Sequence, residues 1–300
     1  MPKTTPLNIP IIKKILHPSD FSQSSETAFV HALKAALISK AALALIHVSP
    51  EMERNWEDFP GVRKTLERWG IVAKNSPKSS VPKLGIQVEK VIAQHKDPVK
   101  TVLKYLTRRP ADFIVLATHQ DKGRVRWLHK SVSKPIARKS RTSTLFIPQG
   151  VKGFVSKTDG SVSLNRILIP VAHTPRAQVA IQAAVRTAYR LNCQNGVFTL
   201  LHVGDPETMP DVRCPAVPGW QWEKVIERKS VLESILGTAK KVKADLIVMS
   251  TDGRNGFLDA LRGSQTEQVL GQARCPVLAV PAKGWIPSLL EKESQELAAV

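Results

Sequence analysis

IKKILHPSDFSQSSETAFVHALKAALISKAALALIHVSP at residues 12–50 and NRILIPVAHTPRAQVAIQAAVRTAYRLNCQNGVFTLLHVGDP at residues 165–206 follow one plan: apolar strand, proline turn, amphipathic helix, second apolar strand. In each copy the first strand (Ile15-Leu16 or Ile167-Leu168-Ile169) stops at a proline, Pro18 or Pro170, which has no N–H to offer an interior ladder. Both second strands end in the same pair, His47-Val48 and His202-Val203. Between them, in ETAFVHALKAALI, the apolar Phe29, Leu33, Ala36 and Leu37 recur at spacings of three and four, one stripe of a helix.

The repetition extends outward. PADFIVLATH (110–119) aligns with KADLIVMSTD (243–252), and TSTLFIPQG (142–150) with CPVLAVPAKG (275–284). Runs such as FIVLA and LIVMS show no polar alternation, so both of their faces are buried, which implies a parallel sheet covered by helices. Asp97-Pro98 reads as a helix start, with Asp as cap and Pro in the first turn. Two tandem doubly wound α/β units are therefore expected, residues 1–150 and 164–283, followed by a tail over 284–300. VKGFVSKTDGSVS (151–163), polar and rich in Gly and Ser, reads as a flexible connector.

The bulk properties agree. A chain of 300 residues and 33.1 kDa with 42% apolar and 23% charged residues can bury a core in each half, which excludes a disordered polar chain. The longest apolar runs, such as Ala41–Val48, fall far short of the roughly 20 residues of a spanning helix. No membrane insertion is expected, and the proline-bearing start MPKTTPLNIPIIKK does not read as an export signal, so a cytoplasmic location is expected. Cys193, Cys214 and Cys275 form no close pair and no metal-like spacing, in keeping with a reducing compartment. The net charge of +19 is unevenly held: residues 1–150 carry 26 Lys/Arg against 11 Asp/Glu, and residues 151–300 carry 18 against 14. Such an excess attracts polyanions in a salt-dependent way.

In an open parallel sheet the ligand crevice lies beyond the carboxyl ends of the central strands. There the second copy reads Ser250-Thr251-Asp252-Gly253, nine residues, then Gly263-Ser264-Gln265-Thr266-Glu267. Glycines allow close backbone approach, and a helix N-terminus presents unpaired N–H groups, which together suit phosphate. Ser264 and Glu267 also have the spacing of a capping box, which accounts for the same letters without a ligand.

As a set, the proline strand end, LIHV or LLHV, DLIVM, the Gly/nine/Gly-Ser loop and CPVLAV resemble the universal stress protein family across both copies. The resemblance implies an adenine nucleotide alpha hydrolase-like fold. Each half would have five parallel strands in the order 3-2-1-4-5, and the last strands of the two halves would pair antiparallel in an intramolecular pseudo-dimer. It further implies a noncatalytic stress-response regulator that takes ATP or another adenine nucleotide, with Mg²⁺. Carried over residue by residue, Gly253, Gly263 and Ser264 match the phosphate loop. Met249, Ser250 and Asp252 lie at its entrance, Gln265 and Thr266 in the following turn, and Val203 beside the adenine. Ser250 stands for the pattern's first Gly, and Ala172 for its ribose-binding acid. The first copy departs in the opposite way. Asp20 and Val48 match the ribose and adenine positions, but Ala117, Gln120 and Lys130 replace the three glycines before Ser131. Asp20 also reads as a helix cap.

Other features are weaker. Residues 122–141 hold eight Lys/Arg, no acid, and Trp127, which suits either nucleic acid or a solvated helix face. Lys130 could also fill the vacated phosphate pocket with a permanent cation. His17, His47, His119 and His129 gather near the end of the first sheet and read as interior histidines, with no metal site assigned; His173 and Asp252 form a lesser pair. No nucleophile motif or paired carboxylates appear, and no catalytic residue is assigned. Cys275 reads as packing, and GWQW (219–222), placed ahead of the third strand of copy two, as aromatics buried at the seam between halves. Two alternatives stand beside the regulator: a slow ATPase or self-phosphorylating enzyme with Ser264 and Thr266 facing the phosphates, and a basic module that binds a polyanion or an unknown protein partner. A homodimer is compatible with each.

Overall fold

The computed structural model describes residues 11–50, 55–118, 133–251 and 265–282. In chain order the first half holds β1 (Lys14–Pro18), α1 (Gln23–Ser39), β2 (Ala42–Ser49), α2 (Val62–Arg68), β3 (Val88–Gln94), α3 (Pro98–Arg108), β4 (Phe113–Thr118), α4 (Ser133–Ser140) and β5 (Ser143–Pro148). The second holds β6 (Arg166–Val171), α5 (Ala177–Arg190), β7 (Gly196–Val203), β8 (Trp220–Glu227), α6 (Val231–Lys241), β9 (Leu246–Thr251), α7 (Gln265–Gln272) and β10 (Val277–Pro281). The strands form one sheet in the order β3-β2-β1-β4-β5-β10-β9-β6-β7-β8, parallel within each half. At the centre β5 and β10 run antiparallel, with Val277 opposite Phe146 and Ala279 opposite Thr144. The order 3-2-1-4-5 thus occurs twice, joined through the last strands as expected.

Local chemistry fixes these elements. Ser22 caps α1 by accepting from the Ser25 N–H, and Lys40 closes it in a left-handed conformation (φ 49°). Phe29, Leu33 and Ala36 on the expected stripe are fully buried. Asp97 caps α3, accepting from the Lys100 N–H, with Pro98 in the first turn. Each half uses one aspartate to set its central strand: Asp112 Oδ2 accepts from the N–H groups of Lys13 (2.8 Å) and Lys14 (2.9 Å), and Asp245 Oδ2 from those of Asn165 and Arg166 (both 2.9 Å). The core has two layers. One lies beneath α1 and α5 and the other beneath α3, α4, α6 and α7, and both run unbroken from one half into the other.

Two expectations are corrected. The connector over 151–163 is a folded hairpin. Val155 bridges Val162, and the Ser163 N–H donates to the Phe154 carbonyl (2.9 Å). The Trp69 indole N–H donates to Lys157 O (3.2 Å), and Lys157 pairs with Glu26 (2.9 Å). Buried His31 of α1 donates from Nδ1 to Thr27 O (2.8 Å) and accepts at Nε2 from the N–H groups of Phe154 (3.0 Å) and Val155 (3.2 Å). Its glycines serve contact rather than flexibility. Gly153 has φ +72° and a Cβ there would lie 2.3 Å from His31 Cε1; Gly160 has φ +69° and a Cβ would lie 2.5 Å from Trp69 Cδ2. Trp220 and Trp222, in turn, are at the outer edge strand β8, the position farthest from the seam. They stack on Phe198 at 4.2 and 4.4 Å, and their indole N–H groups donate to Cys193 O (3.0 Å) and Pro215 O (2.9 Å). The alternation of β8 turns both rings to one face and leaves Gln221 on the other.

Burial holds the imidazole of His31 down to about 4, with the Thr27 carbonyl only partly offsetting it. His17 is likewise held at about 4 by burial, against the opposing pull of the Val115 carbonyl, Asp20 and Ser25. Both folded values lie below the ordinary 6.5, so the unfolded chain takes up these protons first as pH falls. The stability they support is complete above about pH 6.5 and drains as pH falls toward 4. Urea unfolding at pH 7 and pH 5 should differ by about 2 kcal/mol per histidine, and His31→Gln should show a shallower pH dependence. Gly153→Ala should cost about 2 kcal/mol or more, because it combines a left-handed φ with a clash against the ring.

Candidate functional site

Parallel strands gather their carboxyl ends on one rim, and in the second half the chain changes direction of winding between β6 and β9. Four strand ends build this rim. Val171 closes β6 and leads to Ala172; Val203 closes β7; Met249, Ser250 and Thr251 close β9; Pro281 closes β10. Val203 packs against the core layer that contains Met249, so both offer apolar surface on the α6/α7 side. Ser250 faces the opposite layer, nearly buried, its hydroxyl 3.4 Å from Pro175 O in the β6–α5 turn. The sheet hydrogen bonding continues past the rim, where the Ala282 N–H donates to Thr251 O (2.6 Å). Asp252, Gly253, Gly263 and Ser264 lie outside the described residues. Gln265 and Thr266 form the first turn of α7.

Beside the rim is a polar network that sequence reasoning did not assign. His202 Nδ1–H points at Val171 O (3.3 Å), and its Nε2 lies 2.9 Å from Thr208 Oγ1. The Thr208 hydroxyl has one proton for two acceptors, His202 Nε2 and Asp205 O (2.8 Å), and His173 Nε2–H donates to Thr208 O (3.1 Å). Gly204 is required here: with φ +148°, a Cβ would come within 2.9 Å of both His202 Nε2 and Thr208 Oγ1. The first half repeats the anchor, since His47 Nδ1–H donates to Ser19 O at 2.8 Å. Ser19 and Val171 each follow the proline of their strand, so the repeated His-Val pair holds the turn after the first strand of both copies. The repetition was the available signal. Its meaning needed the fold.

Among the described residues, the chain's own groups pack at the first-half rim. Asp20 Oδ1 accepts from the Ser22 N–H (3.0 Å), so Asp20 forms the turn before α1, while the cap is Ser22. Phe21, at φ 61°, stacks on His47 at 4.2 Å and meets Phe59 edge-on at 5.2 Å. Val48 turns to the other face, onto the α3/α4 layer. His17, fully buried, donates from Nδ1 to Val115 O (2.9 Å), with Nε2 3.4 Å from Ser25 Oγ. Ala117 sits in β4; His119, Gln120, Trp127, His129, Lys130 and Ser131 lie outside the described residues. Among the described residues no group of three His, Cys, Asp or Glu stands together to hold a metal, and no helix is long and apolar enough to cross a membrane. Burial pushes the thiol of Cys275 up to about 12 and that of Cys193 up to about 11, with Asp245 adding to both, so neither is a ready nucleophile.

The family model described as Universal stress protein family matches residues 12–148 and 215–281. The chain belongs to the universal stress protein family. Its second matched segment begins after β7, so β6 and β7 take up universal stress protein positions in the fold from outside the matched residues. The chain is 25% identical over 152 residues to Universal stress protein MJ0577 of Methanocaldococcus jannaschii, which spans 45% of the chain and 94% of that relative. It is 52% identical over 46 residues to Universal stress protein MJ0531 of the same organism; that match spans 15% of the chain and only 27% of the relative's length. Among solved structures, a universal stress protein from Archaeoglobus fulgidus DSM 4304 superposes with TM-score 0.56 at 17% identity, over 90% of this chain and 98% of the other. A functionally unknown protein from Pseudomonas aeruginosa PAO1 superposes with TM-score 0.57 at 15% identity, over 96% and 97%. At these identities the two structures speak for the fold, and they span both halves of it.

Replacing the anchoring histidines tests their structural role. His47→Ala should lower the unfolding free energy by about 1–3 kcal/mol, because it strands the Ser19 carbonyl in a buried setting. His202→Ala, with its longer bond, should cost the smaller share of that range. Denaturant unfolding with an unchanged slope would check both.

Proposed function

We propose that this universal stress protein is a noncatalytic regulator that binds an adenine nucleotide, ATP with Mg²⁺, at the second-half rim. The residues are Val203, Met249, Ser250, Asp252, Gly253, Gly263, Ser264, Gln265 and Thr266. The observation that supports the reading is where the two flanks of the glycine-bearing segment lie: Thr251 ends β9, the neighbour of β6 at the crevice, and Gln265 starts α7. A phosphate there would meet main-chain N–H groups at the start of a helix, and the small Ser250 leaves that approach uncrowded. Val203 and Met249 supply an apolar wall suited to a purine, while Ala172 leaves the ribose without its acid. Mg²⁺ would arrive on the phosphate oxygens, as it prefers to bind through substrate phosphates and water.

In this reading the first half, residues 1–150, is a structural partner. Its Gln120 and Lys130 replace glycines, and Phe21 and Asp20 are engaged within the rim itself. The three thiols, all free, suit a reducing cytoplasm.

Mass spectrometry of the denatured protein should detect co-purified adenine nucleotide, and ATP with Mg²⁺ should raise the melting temperature. Absence of both would remove the reading. Ala172→Asp should tighten ATP binding by about 2- to 10-fold in calorimetry, the effect of one restored hydrogen bond. Phosphate release above a Gly263→Arg control would instead point to an enzyme, and salt-sensitive retention on nucleic acid, lost on replacing Arg124, Arg126 and Lys130, to a polyanion module.

A further inference from the structure

A cavity of about 100 Å³ lies between α1 and α5, over the seam of the two halves. Its floor is Leu145 of β5 and Leu278 of β10, which pair directly across the antiparallel junction. Ala35 of α1 stands on one wall and Ala183 of α5 on the other, both only half-buried. The lining is almost wholly hydrocarbon. An apolar recess at a surface favours whatever apolar group can reach it.

Chain direction decides what can reach this one. Ile12, ahead of β1, and Ser143, at the start of β5, mark one end of the groove. Because β10 runs against β5, this is also the end at which β10 leaves the sheet, and Val280 lines the groove there, in register with Ser250 of β9. The chain therefore passes from Ala282 into residues 283–300 beside the groove and next to the second-half rim. Those residues lie outside the described part. Their sequence opens on four large apolar side chains within six positions, Trp285, Ile286, Leu289 and Leu290, ahead of Glu291, Glu293 and Glu296. Trp285 is five residues beyond Val280, a reach of up to about 17 Å in extended chain. Residues 1–10 approach the same end through Ile11 and Ile12, but they carry Leu7 and Ile9 between Pro6 and Pro10, with less apolar bulk and no aromatic ring.

We propose that residues 284–290, GWIPSLL, dock in the groove of their own chain, with Trp285 as the anchor and the acids at 291–296 left to water. Tryptophan brings a large apolar area at a small cost in side-chain freedom. The tether makes the event intramolecular, so modest contacts suffice. The docked segment touches α1 of the first half and α5 of the second at once, and so fastens the junction from outside the sheet. This inference does not rest on the nucleotide reading, and its test contains no nucleotide.

The full-length protein with p-benzoylphenylalanine in place of Trp285 supplies the test. Irradiation followed by peptide mass spectrometry should place cross-links on α1, α5 or the β5/β10 seam, and in a mixture of light and ¹⁵N-labelled protein they should fall within one chain. Chymotrypsin should cut after Leu290 about tenfold faster in Trp285→Ser than in the unaltered protein, the effect of losing one buried anchor. Ala35→Arg, which fills the groove from α1, should abolish the cross-links and speed the cleavage equally; Ala183→Arg, on the other wall, serves if that variant does not fold. Cross-links that fall elsewhere, join two chains, are absent, or arise only when the label stands at Leu7 would overturn the proposal, as would cleavage left unchanged in a folded groove variant.

Discussion

The antiparallel pairing of β5 with β10 is the constraint on which the molecule is built. Both strands are buried at every position, on both faces. Neither half could present such a strand to water, because its N–H and C=O groups and its apolar side chains would all be uncovered at an open edge. Joining the two edges removes the exposure and makes each core layer continuous across the junction. The same act brings α1 and α5 together over the seam.

The connector reinforces this junction through an unusually specific contact. His31 sits mid-helix, fully buried, and spends both ring nitrogens on main chain: one on its own helix and the other on two successive N–H groups of the hairpin. Only the neutral ring can accept at Nε2, so burial and function act in the same direction and depress its proton affinity. Gly153 lets the hairpin approach the ring closely enough for this. A Gly/Ser-rich polar stretch is ordinarily a sign of looseness; here small residues mark close approach, a distinction that composition cannot draw.

Much of the architecture was legible because it rests on periodicity. FIVLA and LIVMS announced strands buried on both faces, the spacing of Phe29, Leu33 and Ala36 announced the buried side of α1, and the duplication fixed the topology twice over. What sequence could not supply was direction in space. The His-Val pairs were visible as a repeat, yet that His47 and His202 hold the carbonyl after each strand proline became apparent only when β2 and β7 lay alongside β1 and β6. Trp220 and Trp222 were recognisable as buried aromatics. Their partner, Phe198, lies on the neighbouring strand at the far edge, a pairing set by register rather than by any local motif.

On the proposed reading the two copies depart from the family's pattern in opposite senses, and the magnitudes indicate which departure would matter more. Ala172 in place of the acid would remove one hydrogen bond to a bound nucleotide, about 0.5–1.5 kcal/mol, and would add no steric obstacle. In the family's pattern Gln120 and Lys130 stand at glycine positions, where a side chain would oppose main-chain approach to phosphate and a left-handed conformation would cost roughly 1–2 kcal/mol for each non-glycine residue. The first kind of change would weaken a site and leave its shape; the second would remove the shape. Where no ligand is bound, nothing opposes packing at the rim, and Phe21 stacked on His47 against Phe59 is the kind of packing that adds stability to the half that carries it. If the proposed nucleotide site is right, the asymmetry is a division of labour: the first copy would serve through packing and the second through its ligand, each covering the other's edge strand.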